Sequence, residues 1–179
     1  MDKRVEENKR VKKQICAAFF GLLRQSDTDD VDSISISQIT SRANVSRMAY
    51  YRNFKSKNDI VKYYMDEVMW SDITDELGDD IDFWTNEYGQ VFFSTMKKHR
   101  DTILLLESHG YSSVLLSSFN HHNEEIAGDM PSNSIERYKL YYAAGASMNA
   151  VLVWLQSGCK ESVESMVDSF SDFCRYLHG

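Results

Sequence analysis

Residues 45–60, VSRMAYYRNFKSKNDI, place two arginines, two lysines and two tyrosines within sixteen positions. An arginine holds a guanine edge through two parallel hydrogen bonds, and a tyrosine hydrogen-bonds a phosphate while packing on a thymine methyl or a sugar. A lysine in the first turn of a helix adds its charge where free backbone N–H groups already favour an anion. Side chains of these types read a duplex when they stand at the N-terminal end of a helix in the major groove, with neighbours that hold phosphates on both sides. Arg47, Met48, Tyr50 and Tyr51 occupy that end of a helix starting at Arg47, and Lys57 opens the next helix. With Ser35 and Asn53 they form the candidate DNA-contacting set; the bland alternative is a solvated charged face.

The elements that would position these groups announce themselves by caps. Ser35 with Gln38 has capping-box spacing, Ser46 can cap a helix from Arg47, and Ser56 with Asp59 can cap one from Lys57. Between the first two lies Ala43-Asn44-Val45, where Asn44 tolerates the left-handed conformation of a sharp interhelical turn. Two short helices with such a turn make a helix-turn-helix. Ile36, Ile39, Ala43, Val45 and Phe54 would be its small core. A preceding helix, near residues 3–25, carries an apolar stripe of Val11, Ile15, Ala18, Phe19 and Leu22, and a first half crowded with lysine and arginine. It ends in the acidic turn SDTDDVDS.

The 179 residues carry a formal charge of −7, yet the charge is unevenly spread. Residues 1–62 hold thirteen Lys and Arg against eight Asp and Glu, net +5; the remainder holds seven against nineteen, net −12. A basic module that touches a polyanion and an acidic body that does not fits this asymmetry. No apolar run reaches the roughly 20 residues of a membrane span, and no signal-peptide pattern opens the chain, so the expected location is cytoplasmic. Cys16, Cys159 and Cys174 lack metal-ligand spacing and read as buried thiols.

Beyond the basic segment, one proline and eight glycines leave few breakers in stretches of period near 3.6, so the chain reads as all-α with about nine helices. Body helices are expected near 57–77, 80–97, 101–109, 112–127, 134–157 and 160–177. Two seams show alternating three-four spacing: Tyr138, Tyr141, Gly145, Met148, Leu152 and Leu155 in one helix, Val163, Val167, Phe170, Cys174 and Leu177 in the next. Internal core and a self-complementary four-helix dimer interface both fit; the second, with Tyr141, Gly145, Met148, Leu152, Val167, Phe170 and Cys174, is preferred. Trp70, Trp84, Tyr88, Phe92, Phe93, Met96, Tyr111 and Phe119 crowd the middle of the chain. Most must fill the core, but an apolar cavity with a few polar groups is what a small-molecule site looks like. The candidates are Trp70, Phe92, Met96, Tyr111, Phe119 and Asn149, with His109 and Asn120 as further polar groups. HHNEE at 121–125 reads as a solvated helix end rather than a metal site, and no cofactor is expected.

The run from Ser35 to Ile60 resembles the DNA-binding region of the TetR family of bacterial transcriptional regulators. Val45, Ser46, Tyr51, Arg52, Phe54, Ser56, Lys57, Asp59 and Ile60 fall on that pattern; Asn44 stands where glycine is usual, Met48-Ala49 where Gly-Thr is frequent, and Asn53 where histidine is common. The stretch YYAAGASMNAVLVWLQSGCKES is similar to the end of a subgroup common in Gram-positive bacteria, whose Trp-Leu-x-x-Gly closes the dimerisation helix. The resemblance implies a three-helix DNA-binding domain, 1–56, and a larger helical domain, 57–179, for effector binding and dimerisation. It implies a ligand-responsive regulator, a repressor, binding a near-palindromic DNA operator as a homodimer, with a small-molecule effector as the other partner. The alternative is an activator or adaptor that acts through protein partners. No nucleophile elbow, phosphate loop or paired catalytic carboxylates has a recognisable setting, so no enzyme is expected.

Overall fold

The computed structural model describes residues 3–26, 34–78, 81–83, 85–131 and 134–178, with the side chains of Cys174 and 176–178 outside that description. Trp84 and the acidic turn after Ser26 also lie outside it, and the described residues are helical and form no strand.

Helix α1, Lys3–Leu23, buries Val11, Ile15, Ala18, Phe19 and Leu23 along one side, together with Cys16 and Phe20. The next three helices begin where their caps require. In α2, Ile36–Ala43, Ser35 and Gln38 form the reciprocal capping box, and the helix stops at Asn44, which is left-handed at φ 52°. In α3, Arg47–Asn53, the Ala49 amide donates to Ser46 Oγ at 3.0 Å. The chain then extends at Phe54 and re-enters a helix at Lys57 under a second capping box, Ser56 with Asp59. Helix α1 packs across α2, α3 and the start of α4. Ile39, Ala43 and Phe54 are buried beneath them, while Ile36 and Val45 pack half-buried at the edge.

Helix α4 carries the chain from this head into the body, and it is not uniform. It is α-helical over Lys57–Tyr64, π-helical over Met65–Trp70 and α-helical again over Ser71–Leu77. The spacing at 57–77 predicts an unbroken helix. The wider turn is what allows Met65, Met69 and Trp70 all to be buried, a set that one strip of a regular helix does not collect. His99 spans the π segment from outside, with Nδ1 2.6 Å from Tyr64 Oη and Nε2 2.7 Å from Asp72 Oδ2.

The body continues with α5, Asn86–Lys98, α6, Arg100–Ser108, α7, Ser112–Ala127, α8, Ile135–Gln156, and α9, Val163–His178. Helix α5 starts six residues later than its periodicity suggests, because Thr85 supplies the cap to Tyr88. Helix α7 lies along α8, whereas α9 lies along α5. Gly89 makes the second pairing possible: a Cβ there would sit 3.2 Å from a Val167 methyl. One contiguous apolar core runs through head and body.

Candidate nucleic-acid interface and internal cavity

Helix α3 divides its side chains sharply. Arg47, Met48, Tyr51 and Arg52 are exposed, with Met48 at 73% and Tyr51 at 51%. Tyr50 does not join them. It is fully buried, edge-on to Tyr51 at 5.4 Å and 6.2 Å from Phe54, and burial first, then Asp59 and Tyr51, pushes its phenol up to about 12. The expectation that Tyr50 faces outward is therefore corrected: a seven-residue helix needs an anchor, and Tyr50 is its one buried side chain.

The remaining expected contacts are already engaged. Ser35 accepts from the Gln38 amide as a helix cap, and half-buried Asn53 donates to the Ala49 carbonyl at 2.8 Å. Lys57 Nζ donates to the Ile34 carbonyl at 3.3 Å, which ties the start of α4 to the start of α2. Arg52, absent from the candidate set, adds an exposed cation in the last turn of α3. Its alternation with buried Tyr50 and Phe54 is the signal that could have found it.

In the body, Phe83, Tyr88, Phe92, Phe119, Leu140 and Phe170 enclose a cavity of about 20 Å³, with Asn123, Ala143 and Ser147 completing its wall. Of the candidate ligand set, Phe92 and Phe119 line this cavity. Trp70 lies directly behind, 6.4 Å from Phe92 and 5.0 Å from Phe119, with its indole N–H donating to Ser118 Oγ at 2.6 Å. Met96 and Tyr111 are buried but do not line the cavity; Tyr111 meets Phe19 edge-on at 6.0 Å. Asn149 is exposed on α8, one position past inward-facing Met148 and so about 100° round the helix, which removes it from any cavity wall. Asn123 and Ser147 are the polar groups that the sequence reading missed, although Asn123 stands one turn beyond Phe119.

His122 explains why HHNEE behaves as two halves. His121 is exposed with Glu125 at 3.3 Å, while His122 is 3% exposed and stacks on Trp70 at 3.9 Å and 8°. Burial, then the neighbouring His121, pushes His122 down to about 4, so the ring is neutral and sits 3.4 Å from Tyr88 Oη. The reading of the whole run as solvated is thus corrected at His122. Among the described residues, no group of His, Cys, Asp and Glu has the geometry of a metal site.

Several side chains of the expected dimer seam are turned into this chain's own core. Val167 is 2% exposed against Gly89, and Phe170 packs into the cavity wall, so both turn inward rather than toward a partner. Met148 is buried, Leu152 half-buried, and Tyr141 Oη donates to Glu124 Oε1 at 2.5 Å, beside Arg137 Nη2 at 2.6 Å. Cys174 lies outside the described side chains. Tyr138 is exposed and Gly145 faces open space as that seam has them, but the rest of the outward stripe of α8 runs through Tyr142, Asn149 and Val153, each one position along from Tyr141, Met148 and Leu152. Helix α8 is apolar on nearly every side, so its spacing cannot select which strip faces out.

The sequence matches no protein-family model and no curated protein. Two of the solved structures that the chain resembles illustrate the shared fold. One is a TetR transcriptional regulator from Streptococcus agalactiae 2603V, with a TM-score of 0.65 at 19% identity over 95% of this chain and 96% of that one. The other is the dihydroxyacetone kinase operon activator DhaS, with a TM-score of 0.54 at 14% identity over 91% of this chain and 93% of that one. The chain therefore has a TetR-like fold. No helix among the described residues is long and apolar enough to cross a membrane.

Proposed function

We propose that this chain is a ligand-responsive, DNA-binding transcriptional regulator, a cytoplasmic homodimer whose two heads occupy successive major grooves of a near-palindromic operator. The observation that carries the reading is the first turn of α3, where the cap at Ser46 and the buried anchor Tyr50 leave Arg47, Met48 and Tyr51 projecting together. Residues 1–56 act as the DNA-binding domain and 57–179 as the effector and dimerisation domain. Lys57 serves at a phosphate, Arg47 and Met48 at base edges, and Tyr51 and Asn53 on the backbone beside them, while Ser35, whose N–H and O–H both go to Gln38, only holds α2 in place.

The dimer forms through α8 and α9, where the exposed stripe of Tyr138, Tyr142 and Val153 supplies apolar surface beside Gly145. The likeness of residues 141–162 to the dimerisation helix of a Gram-positive subgroup supports this placement. Repression by occupancy of the operator is the preferred mode. Activation through a protein partner is the second reading, favoured by the neighbour described as an operon activator. The effector occupies the aromatic cavity, and it shifts the heads only through unequal affinity for two arrangements of the body.

The test is a titration of DNA from upstream of the chain's own gene at several salt concentrations. Specific affinity that falls steeply with salt is expected, because phosphate neutralisation releases counterions. Arg47→Ala should weaken specific binding by about 1–3 kcal/mol and relax the sequence preference at one position. Affinity no greater than for random DNA overturns the proposal. Regulation that survives the Arg47→Ala, Tyr51→Ala double variant transfers the function to protein contacts.

A further inference from the structure

We infer that the aromatic cavity takes an uncharged, flat aromatic molecule carrying one hydrogen-bonding N–H or carbonyl group, admitted when Phe170 swings out of the wall. This rests on the reading of the body as an effector-binding unit, and it is independent of the DNA face.

The shape of the site comes from ring orientations. Phe92 is nearly parallel to Trp70, Tyr88 and Phe170, at 15°, 20° and 23°, with centroids 6.4, 5.8 and 6.5 Å away. His122 continues the same orientation, 8° from Trp70 and 20° from Tyr88. The other rings close the sides edge-on: Phe83 meets Tyr88 at 79°, and Phe119 meets Phe92 at 87°. On the lining itself Tyr88 and Phe92 share this orientation while Phe83 and Phe119 stand edge-on to them, a slot in which a planar π-system gains offset stacking and edge contacts without needing Phe170. A puckered aliphatic ring of equal volume gains neither.

Charge is excluded by the lining. Among the described residues no carboxylate, amine, guanidinium or imidazole lines the cavity, and His122 behind it is neutral by burial. An ion placed there would lose its hydration without a counter-charge. The polar handles are neutral: the Asn123 amide, whose Nδ2 donates to the Leu140 carbonyl, and the Ser147 hydroxyl.

Size requires a moving part. The enclosed 20 Å³ suits a single water, whereas an engineered cavity that holds benzene measures about 150 Å³. Between α8 and α9 lies a second, apolar groove of about 250 Å³, walled by Phe93, Ala150, Met166 and Phe173. Phe170 and Ser147 belong to both. Phe170, beside Ser147, therefore stands between them, and swinging its ring outward, clear of the groove as well as of the slot, joins the two volumes into one space for a bicyclic ligand.

The experiment titrates 5-fluoroindole into the full chain and follows its ¹⁹F resonance, with 4-fluorobenzoate as the charged planar probe and fluorocyclohexane as the neutral non-planar one. Saturable binding of 5-fluoroindole is expected, at least tenfold tighter than either comparator. Phe170→Ala removes the ring that must be displaced and should bind 5-fluoroindole several-fold more tightly. Ala143→Phe fills the slot from α8 and should abolish binding while the chain still melts cooperatively; Ser147→Leu serves the same purpose if Ala143→Phe does not fold. Equal affinity for the three probes, a Phe170→Ala affinity no higher than that of the native chain, persistence of binding in the filled variants, or no binding to native and Phe170→Ala chains each overturns the inference. The readout contains no DNA, so operator binding without 5-fluoroindole binding removes the slot alone. The reverse result removes the regulator reading and leaves the slot.

Discussion

The head and the body hold their helices in different ways. In the head, α2, α3 and α4 are each eight residues or fewer before any break, and each starts on a serine whose hydroxyl accepts a backbone N–H. In the body, α5 and α8 also start on hydroxyl caps, Thr85 and Ser134, but α6 and α7 start without one and depend on the rings and aliphatic groups packed against them. Local caps set the three short helices of the head largely from within their own stretch of sequence. The body is assembled more from contacts distant in sequence, and α4 with its π-helical Met65–Trp70 joins the two; under the proposed function the first would read DNA and the second would respond to a ligand.

The largest test of this contrast is Phe92→Ala. Phe92 is 3% exposed and has ring contacts with Trp70, Tyr88, Phe93, Phe119 and Phe170. Its truncation should lower the unfolding free energy by about 3–5 kcal/mol. Hydrogen exchange should quicken across α5 and α7 before it changes across 36–53. Equal acceleration in both regions would show that the head has no rigidity of its own.

A pH titration should follow, again through the body. His122 has a folded value of about 4, below its unfolded value near 6.5, so the native state binds fewer protons than the unfolded chain between them. Its stabilising contribution is complete above pH 6.5 and is lost as pH falls toward 4, up to about 3 kcal/mol. Urea midpoints of the native chain and of His122→Gln should converge over that interval as the native chain loses stability. A native midpoint that stays level from pH 7 to 4.5 would place a charged imidazole against Trp70 and overturn the neutral stack.

Ser56→Ala addresses the head. It removes the hydroxyl that accepts the Asp59 amide, and the Asp59 carboxylate continues to accept from the Lys55 and Ser56 amides. A cost of about 1 kcal/mol is expected. Specific DNA affinity should fall more than the global midpoint implies, because Lys57 sits in the turn that frays. Calorimetry on the variant beside its operator titration separates the two effects.

Much of this contrast was legible in the residues. Serines at 35, 46 and 56 with Gln38 and Asp59 three positions on, and Asn44 at the turn, fix boundaries by local hydrogen bonding, and local chemistry is what a sequence displays. Tyr50 was misplaced because an aromatic beside exposed Tyr51 gives no local sign of which one anchors the helix. Phe170 and Val167 were misplaced for a different reason. They are paired through space with Phe92 and Gly89 some eighty residues away, and α9's partner, α5 rather than α8, is a tertiary choice that no window of sequence contains. The π segment likewise follows from burying Met65, Met69 and Trp70 together and has no signature in helix propensity.

The smallest expected effect tests the outer face of α8. Gly145 lies in the middle of a 22-residue helix, and a Cβ built there meets nothing within 4 Å. Alanine in that position favours the helix by about 1 kcal/mol, so the isolated chain gives no reason for glycine. A partner backbone crossing close to α8 does give one. Gly145→Ala should therefore raise the melting temperature at concentrations where the chain is monomeric, and weaken self-association measured by sedimentation equilibrium. A gain in stability with unchanged self-association would move the dimer contact off this strip of α8, toward the groove that Phe173 and Met166 line.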